Sequence, residues 1–293
     1  MQWHSKKDIL DYLKLNSIVQ YEDVYLTVMH VFSTVVNVRP LHPHPALLLD
    51  GIWNGKEHRY IAISDLHIGF ESALCMKGVR MDSSLLLREM LREISDLIKF
   101  QQVDGVVLLG DLKNTIGCIS KQEWNWIPQF FKLLSDNVDV YLVPGNHDGN
   151  IRFLTPHSIN MVSTKGMVLD EDTLLIHGHT MPSHISSSIK RIVMGHIHPI
   201  FQKSTSVISG QRVWIYLKVK RENIFLGVEG ILDIIVIPAF NKYLSAAPER
   251  RSRKPISPLI EKALKDNAVQ QAMIVTLDGS IVGDTTSTLE SVF

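Results

Sequence analysis

The chain has 293 residues, 45% of them hydrophobic and 20% charged, enough to bury one large core with a modest second lobe. Thirty basic and thirty acidic side chains cancel and the pI is near 7.2, which excludes a global positive field that would gather nucleic acid or an anionic membrane surface. Two cysteines, Cys75 and Cys118, lie outside any spaced motif; they exclude a disulfide framework and suit reduced thiols in a cytoplasm.

Residues 1 to 37 read as an N-terminal extension. Lys6 to Leu15 can form a short helix with Ile9, Leu10 and Leu13 on one face, and Val24 to Val38 carries apolar residues at even, strand-like spacings. A weakly ordered segment is the alternative, because a short helix is marginal unless its apolar face docks. The proline-punctuated stretch Arg39 to Pro45 reads as a loop leading into the main domain, 38 to 293. There the chain alternates. A strand over Tyr60 to Ile63 is followed by a helix from about Asp82 to Phe100, with Leu85, Leu86, Met90, Leu91, Ile94, Leu97 and Ile98 as its apolar stripe and Asp82 or Ser83 as its cap. A strand over Val106 to Leu109, a helix over Lys121 to Leu134 that Pro128 can kink, and a strand over Val138 to Val143 complete a β-α-β-α-β run, which predicts a largely parallel first sheet. Beyond His157 short strands, among them Leu174 to Ile176 and Ile192 to Met194, predict a second sheet. Val213 to Val219 alternates as an antiparallel strand and Ile231 to Ile237 reads as a buried one. Ser257-Pro258 opens a short helix to about Lys265, and Asp278-Gly279 marks a hairpin between Met273 and Val282. The stretch Ile231 to Phe240 holds Asp233 and Pro238 and is too short to span a bilayer, and Met1 to Leu10 has no signal-peptide core, so a cytoplasmic protein without membrane attachment is expected.

Five strand-like runs are each followed by a polar motif: Asp65-Leu66-His67, Gly110-Asp111, Gly145-Asn146-His147-Asp148, His177-Gly178-His179 and Gly195-His196-Ile197-His198. Strand ends are where open α/β sheets bind ligands. Carboxylate, imidazole and amide oxygen together suit a divalent ion of borderline hardness. Alternate residues of a strand end point the same way, so Asp65 and His67 can reach one ion, and His196 and His198 share that spacing. Asp111 can place one oxygen on each of two ions, holding them roughly 3.5 to 4 Å apart, with Asn146 and His177 filling the second ion's shell. His147, next to Asn146, is then free to face the substrate as general acid, and Asp148 to orient the loop. Any one of these fragments is weak; five in order predict a two-metal hydrolytic site.

In that order the motifs resemble the calcineurin-like metallophosphoesterases, over about Leu41 to Phe240. Ser64 to Glu71, Gly110 to Lys113 and Ile237-Pro238-Ala239-Phe240-Asn241 resemble the archaeal ICC-like, SbcD-related members. The resemblance implies an α/β fold, a four-layer α-β-β-α sandwich of two mixed sheets. It implies one ion held by Asp65, His67, Asp111 and His198 and another by Asp111, Asn146, His177 and His196, with His147 as the catalytic histidine. The two divalent ions are expected to be manganese, with zinc or iron as alternatives, and the reaction to be attack by a hydroxide bridging them on a phosphodiester or phosphomonoester. His179 matches no ligand and reads as a residue behind the ligands. One position departs: three residues after Asp111, where relatives carry aspartate or histidine, stands Asn114, whose amide cannot stabilise an imidazolium as a carboxylate does.

The expected partner is a phosphate ester, with a nucleotide among the candidates. Nucleic acid is not favoured: related nucleases carry a further capping domain, whereas about 95 residues follow His198 here and much of that stretch must complete the second sheet. An SbcD-like DNA nuclease and a catalytically silent protein-binding scaffold are the competing readings; the scaffold is opposed by the complete set of ligands. His42 and His44 read as loop residues, with contact to a phosphate as the alternative. Arg250, Arg251, Arg253 and Lys254 read as a solvated charged loop, and Trp124, Trp126 and Phe130 as helix packing.

Overall fold

The computed structural model describes residues 36–53, 56–76, 78, 82–182, 185–246, 257–283 and 286–292. The expected N-terminal extension lies outside the described residues except for Val36 and Asn37, as does the charged loop Arg250 to Lys254. Among the described residues no helix is long and apolar enough to cross a membrane.

Among the described residues six strands form the first sheet in spatial order: β1 (Asn37–Pro40), β2 (Leu47–Trp53), β3 (Lys56–Ile63), β4 (Gly105–Leu109), β5 (Asp139–Val143) and β6 (Asn160–Met161). β3, β4, β5 and β6 run parallel, while β2 joins antiparallel to β3 and β1 antiparallel to β2. The expected loop at Arg39 and Pro40 is therefore strand; a proline is tolerated there because β1 is an edge. β2 was not foreseen, since its apolar run stops after Leu49 at Asp50-Gly51, and pairing with β3 rather than periodicity makes it a strand. The second sheet also begins later than expected. β6, just beyond His157, adds to the first sheet, because a two-residue strand carries too little pattern to reveal its partner.

Seven strands form the second sheet, in the order β13 (Ile281–Gly283), β12 (Val269–Thr276), β10 (Val213–Lys220), β11 (Ile231–Val236), β9 (Arg191–Met194), β8 (Thr173–Ile176) and β7 (Met167–Leu169). Within it β8, β9 and β11 are parallel and the remaining pairings antiparallel.

Side chains from the two sheets interdigitate in a buried layer that includes Tyr60, Val107, Leu109, Leu175, Val193, Trp214, Tyr216 and Ile235. α1 (Phe70–Met76) packs Phe70 and Leu74 against Ala239 and Leu244; α2 (Ser83–Gln101) and α3 (Lys121–Ser135) pack outside the first sheet and α4 (Pro258–Lys265) outside the second. The fold is thus an α/β sandwich of two mixed sheets with few helices, as the sequence predicts. Strands such as β10 are buried on both faces because each sheet is covered twice: Ile215 and Leu217 face the α4 side, Trp214 and Tyr216 the other sheet.

Asp82 caps α2 by accepting from the Ser84 N–H at 2.8 Å. Leu85 does not join the buried stripe; it is 54% exposed, and Leu87 takes its place because 87, 91, 94 and 98 keep the helical period against the sheet. α3 continues through Pro128, held by the burial of Ile127, Phe130, Phe131 and Leu134. Trp126 packs against that core, whereas Trp124 is half exposed.

Candidate metal centre

β3, β4 and β5 in one sheet and β8 and β9 in the other end at the same place, because parallel pairing in each sheet aligns their carboxyl ends. The loops that follow are bonded to one another. Asp65 N–H donates to the Gly110 carbonyl (3.1 Å), His67 N–H to that of Asp111 (2.9 Å), and Gly195 N–H to that of His177 (3.1 Å). Across the sheets, His196 N–H donates to Asp65 Oδ2 (3.0 Å), and Phe240 N–H donates to the Ser64 carbonyl (2.9 Å).

All seven residues expected to hold metal meet here. The ligating atoms of Asp65, His67, Asp111 and His198 lie within 4.8 Å of one another, and so do those of Asp111, His177 and His196. Asn146 Oδ1 is 3.3 Å from His177 Nε2. The route to this convergence differs from the expected one. Asp65, His67, Asp111, His196 and His198 stand beyond the strand ends with φ of 59°, 44°, 49°, 72° and 48°, so left-handed backbone, not the alternation of a pleat, turns them inward. Such conformations cost about 1 to 3 kcal/mol each and persist where the surroundings over-determine them.

Close approach of backbone is the second device. A Cβ on Gly195 would lie 2.5 Å from the Ser64 side chain and 2.6 Å from Asp65 Oδ2, and one on Gly145 would lie 2.3 Å from Asp111 Oδ1. Asp148 fixes both loops: its carboxylate accepts from Leu112 N–H (3.0 Å), Lys113 N–H (3.2 Å) and Gly145 N–H (2.8 Å), the orienting role expected of it.

Asp111 does not offer one oxygen to each cluster. Its Oδ1 accepts from the His147 N–H at 2.8 Å, and its Oδ2 alone faces both sides, 3.6 Å from His67 Nε2 and 3.3 Å from His177 Nε2. The main chain of His147 consumes the other oxygen, a contact that spacing in the sequence does not reveal. Asp65 is arranged alike: Ser64 Oγ donates to Oδ2 (2.7 Å), leaving Oδ1 3.0 Å from His198 Nε2.

Whether these residues fit a cation can be judged from His177. Its Nδ1 lies 2.8 Å from the Leu109 carbonyl, which cannot donate, so Nδ1 carries the proton. Nε2 then faces two acceptor oxygens, Asp111 Oδ2 and Asn146 Oδ1, both at 3.3 Å. A bare lone pair there is repelled; a divalent cation or a second proton resolves the conflict. The proton's pull is visible in the imidazole itself. Burial lowers its basicity, but hydrogen bonding to Asp111, the charges of Asp111 and Asp65, and the Leu109 carbonyl push its pKa up to about 9. Burial likewise works to raise Asp65 and Asp111. Their histidine neighbours outweigh it and hold both carboxyls well below the usual range, so they stay ionised. Burial and the charge of His177 bring His196 down to about 4, keeping its imidazole neutral and able to ligate. The donor set therefore fits two divalent cations.

His147 stands at the edge of the clusters, its Nε2 3.9 Å from Asp111 Oδ2 and its side chain 18% exposed. Nδ1 donates to the backbone carbonyl of Asn114, so the support that the Asn114 amide cannot give as a carboxylate would comes from the main chain. His179 lies beside His177 and His196, ring centroids 5.3 Å and 6.2 Å away. His42 and His44 do not reach the site; His42 packs against Trp214 with Nδ1 2.8 Å from the Leu277 carbonyl, and His44 pairs with Glu93 at 2.7 Å.

Two further residues support the site. Asn241 Nδ2 donates to the Leu66 carbonyl (2.9 Å), and Arg212 Nη1 donates to the carbonyls of Ala239 (2.7 Å) and Phe240 (3.0 Å), so the 237–241 segment clamps the Asp65 to His67 loop. Asn241 ends a stretch that the resemblance marks. Arg212 carries no sequence signal.

A family model described as calcineurin-like phosphoesterase matches residues 58–224. No curated protein matches the chain. Two similar solved structures are the nuclease MPE of Pseudomonas putida and Yfce, a phosphoesterase from E. coli. The first is 17% identical, covers 83% of this chain and 98% of that one, and has a TM-score of 0.46. The second is 15% identical, with coverage of 77% and 97% and a TM-score of 0.37. With its model matched over more than half of the chain, ending at Ile224 beyond the last of the five motifs, the calcineurin-like phosphoesterase family is the one to which this protein belongs.

Proposed function

We propose that the chain is a phosphoesterase dependent on two divalent metal ions, manganese by expectation and zinc or iron as alternatives, hydrolysing a phosphodiester or phosphomonoester with His147 as general acid. The observation that carries this reading is Asp111 Oδ2, one carboxylate oxygen facing both histidine clusters, with His147 Nε2 beside it. Asp65, His67, Asp111 and His198 would hold one ion and Asp111, Asn146, His177 and His196 the other. When bound, the ions supply positive charge for the phosphate oxygens and bring the ionisation of water to near neutral pH.

The protein's own part is proton transfer and orientation. As the new P–O bond forms to the attacking water-derived oxygen and the ester P–O bond breaks, His147 Nε2–H passes its proton to the departing oxygen, which leaves as an alcohol. The Asn114 carbonyl keeps the Nδ1 proton in place and aims the ring. The Asp111 carboxylate fixes the main chain of His147 through Oδ1, so metal site and acid are set by one side chain. Cys75 and Cys118 are both exposed and unbridged, which supports a reducing compartment, the cytoplasm.

Purified full-length protein loaded with manganese should hydrolyse p-nitrophenyl phosphate or its bis-ester, losing the activity to a chelator and regaining it with added metal. Absence of turnover on aryl mono- and diesters, nucleotides and cyclic nucleotides with manganese, zinc and iron alike would contradict the reading. Faster cleavage of single-stranded DNA than of small diesters would make the protein a nuclease.

A further inference from the structure

We infer that Glu123 is a positioning residue for the acid step, holding the Asn114 carbonyl under His147 through the main chain of the 114–120 loop. The inference rests on His147 being the general acid, and it concerns what keeps that histidine aimed. Between β4 and α3 the segment 114–120 has no regular structure, and a loop of that kind does not by itself fix a carbonyl to the tolerance that proton transfer needs.

Glu123 supplies the missing constraint. Its carboxylate is fully buried and accepts four hydrogen bonds from the loop: Asn114 N–H (2.9 Å) and Thr115 N–H (2.7 Å) on Oε1, Thr115 Oγ1–H (2.6 Å) and Ser120 N–H (2.6 Å) on Oε2. Lys113, equally buried, works on the loop's other polarity, its Nζ donating to the carbonyls of Thr115, Ile116 (3.4 Å) and Cys118 (3.1 Å). One acid thus takes the loop's donors while one base serves its acceptors. The Asn114 N–H is shared with the Ile68 carbonyl (3.1 Å), which ties the preceding peptide, Lys113–Asn114, to the segment after His67.

A plainer role for Glu123 is the capping box of α3, in which Ser120 and Glu123 satisfy each other's backbone donors. That box uses one of the four bonds, the one from Ser120 N–H. The other three reach Asn114 and Thr115, eight or nine residues away, and do nothing for the helix end. Gly69 makes room for this arrangement, since a Cβ there would come within 3.2 Å of Glu123 Cγ. Ser120-x-x-Glu123 is visible in the sequence as a capping signal; its reach to the acid histidine is not.

The test uses the full chain, metal-loaded, with two phosphodiesters that share the transferred group and differ in leaving group, one an activated aryl oxide and one an alkoxide. Glu123→Ala should lower kcat on the alkyl ester by about 10- to 100-fold, the usual effect of removing a partner behind a ligand or catalytic group. KM, metal content and kcat on the aryl ester should stay within about threefold, because a good leaving group needs little protonation. Glu123→Gln, which keeps acceptor oxygen for the Asn114 and Thr115 N–H groups, should recover most of the loss and decides the matter if the alanine variant fails to fold. A second readout does not need turnover. Histidine nitrogen NMR of the zinc-loaded protein, with His147→Gln to identify the signal, should show a protected Nδ1–H on His147 in the wild type and in Glu123→Gln, and its loss in Glu123→Ala. An equal fall on both esters, or a His147 signal unchanged in Glu123→Ala, would overturn the inference. A wild type that hydrolyses no ester would remove the functional reading and the acid step with it; a His147 signal that still depends on Glu123 would then leave only the aiming of the ring.

Discussion

Replacing Asp111 with asparagine should reduce bound metal from two ions per chain to one or none and lower kcat/KM by at least about 10³-fold. The size follows from the role of Oδ2. It faces His67 and His177 at once, so the substitution puts an amide that carries no charge, or turns its NH₂ donor, where both ions need a shared anionic oxygen. Paired cations contribute several kcal/mol to stabilising charge on a phosphoryl transition state, and about 1.4 kcal/mol corresponds to tenfold in rate. The fold should survive, because the asparagine oxygen can still accept from the His147 N–H at the Oδ1 position. Metal analysis, steady-state kinetics and circular dichroism on the variant check the three parts. A well-folded variant with two ions and activity within tenfold of wild type would refute the shared-oxygen account.

Substituting His147 by alanine should separate chemistry from metal binding. In the proposed site its ring supplies no ligand atom, so metal content should remain at two. The turnover number on an alkyl ester should fall by about 10² to 10⁴, the worth of a positioned general acid. On an activated aryl ester the fall should be less than tenfold, since that oxygen departs as a stable anion. If both esters lost the same factor, or if metal were lost with the ring, His147 would be holding the site together rather than donating a proton.

The sequence made the site legible because each motif follows an apolar run, and parallel strand ends gather in one place whatever the loops do. Asp65, His67, Asp111, Asn146, His177, His196 and His198 meet on that account. Their local geometry was not legible. Left-handed φ at five of these positions is a property of loops held by cross-sheet hydrogen bonds, and the two-residue strand alternation read into Asp65-x-His67 and His196-x-His198 stops at Ile63 and Met194. The same limit explains Asn114. Its side chain drew attention, but a main-chain carbonyl carries no residue identity and so leaves no trace in sequence. In the fold, strongly periodic segments such as α2 read well, apart from the outward turn of Leu85, while β2 and β6 depend on partners distant in sequence. Arg212 and Glu123 act through loops they stabilise; spacing marks Glu123 only as a helix cap, and nothing in the sequence marks Arg212.

In the proposed site two metal ions share one carboxylate oxygen of Asp111. Anomalous diffraction from crystals of the manganese-loaded protein can show whether they do. The expected result is two peaks, one enclosed by Asp65, His67 and His198 and one by Asn146, His177 and His196, with Asp111 Oδ2 touching both and Oδ1 still bonded to the His147 N–H. A single peak, or two that do not share Asp111, would contradict it.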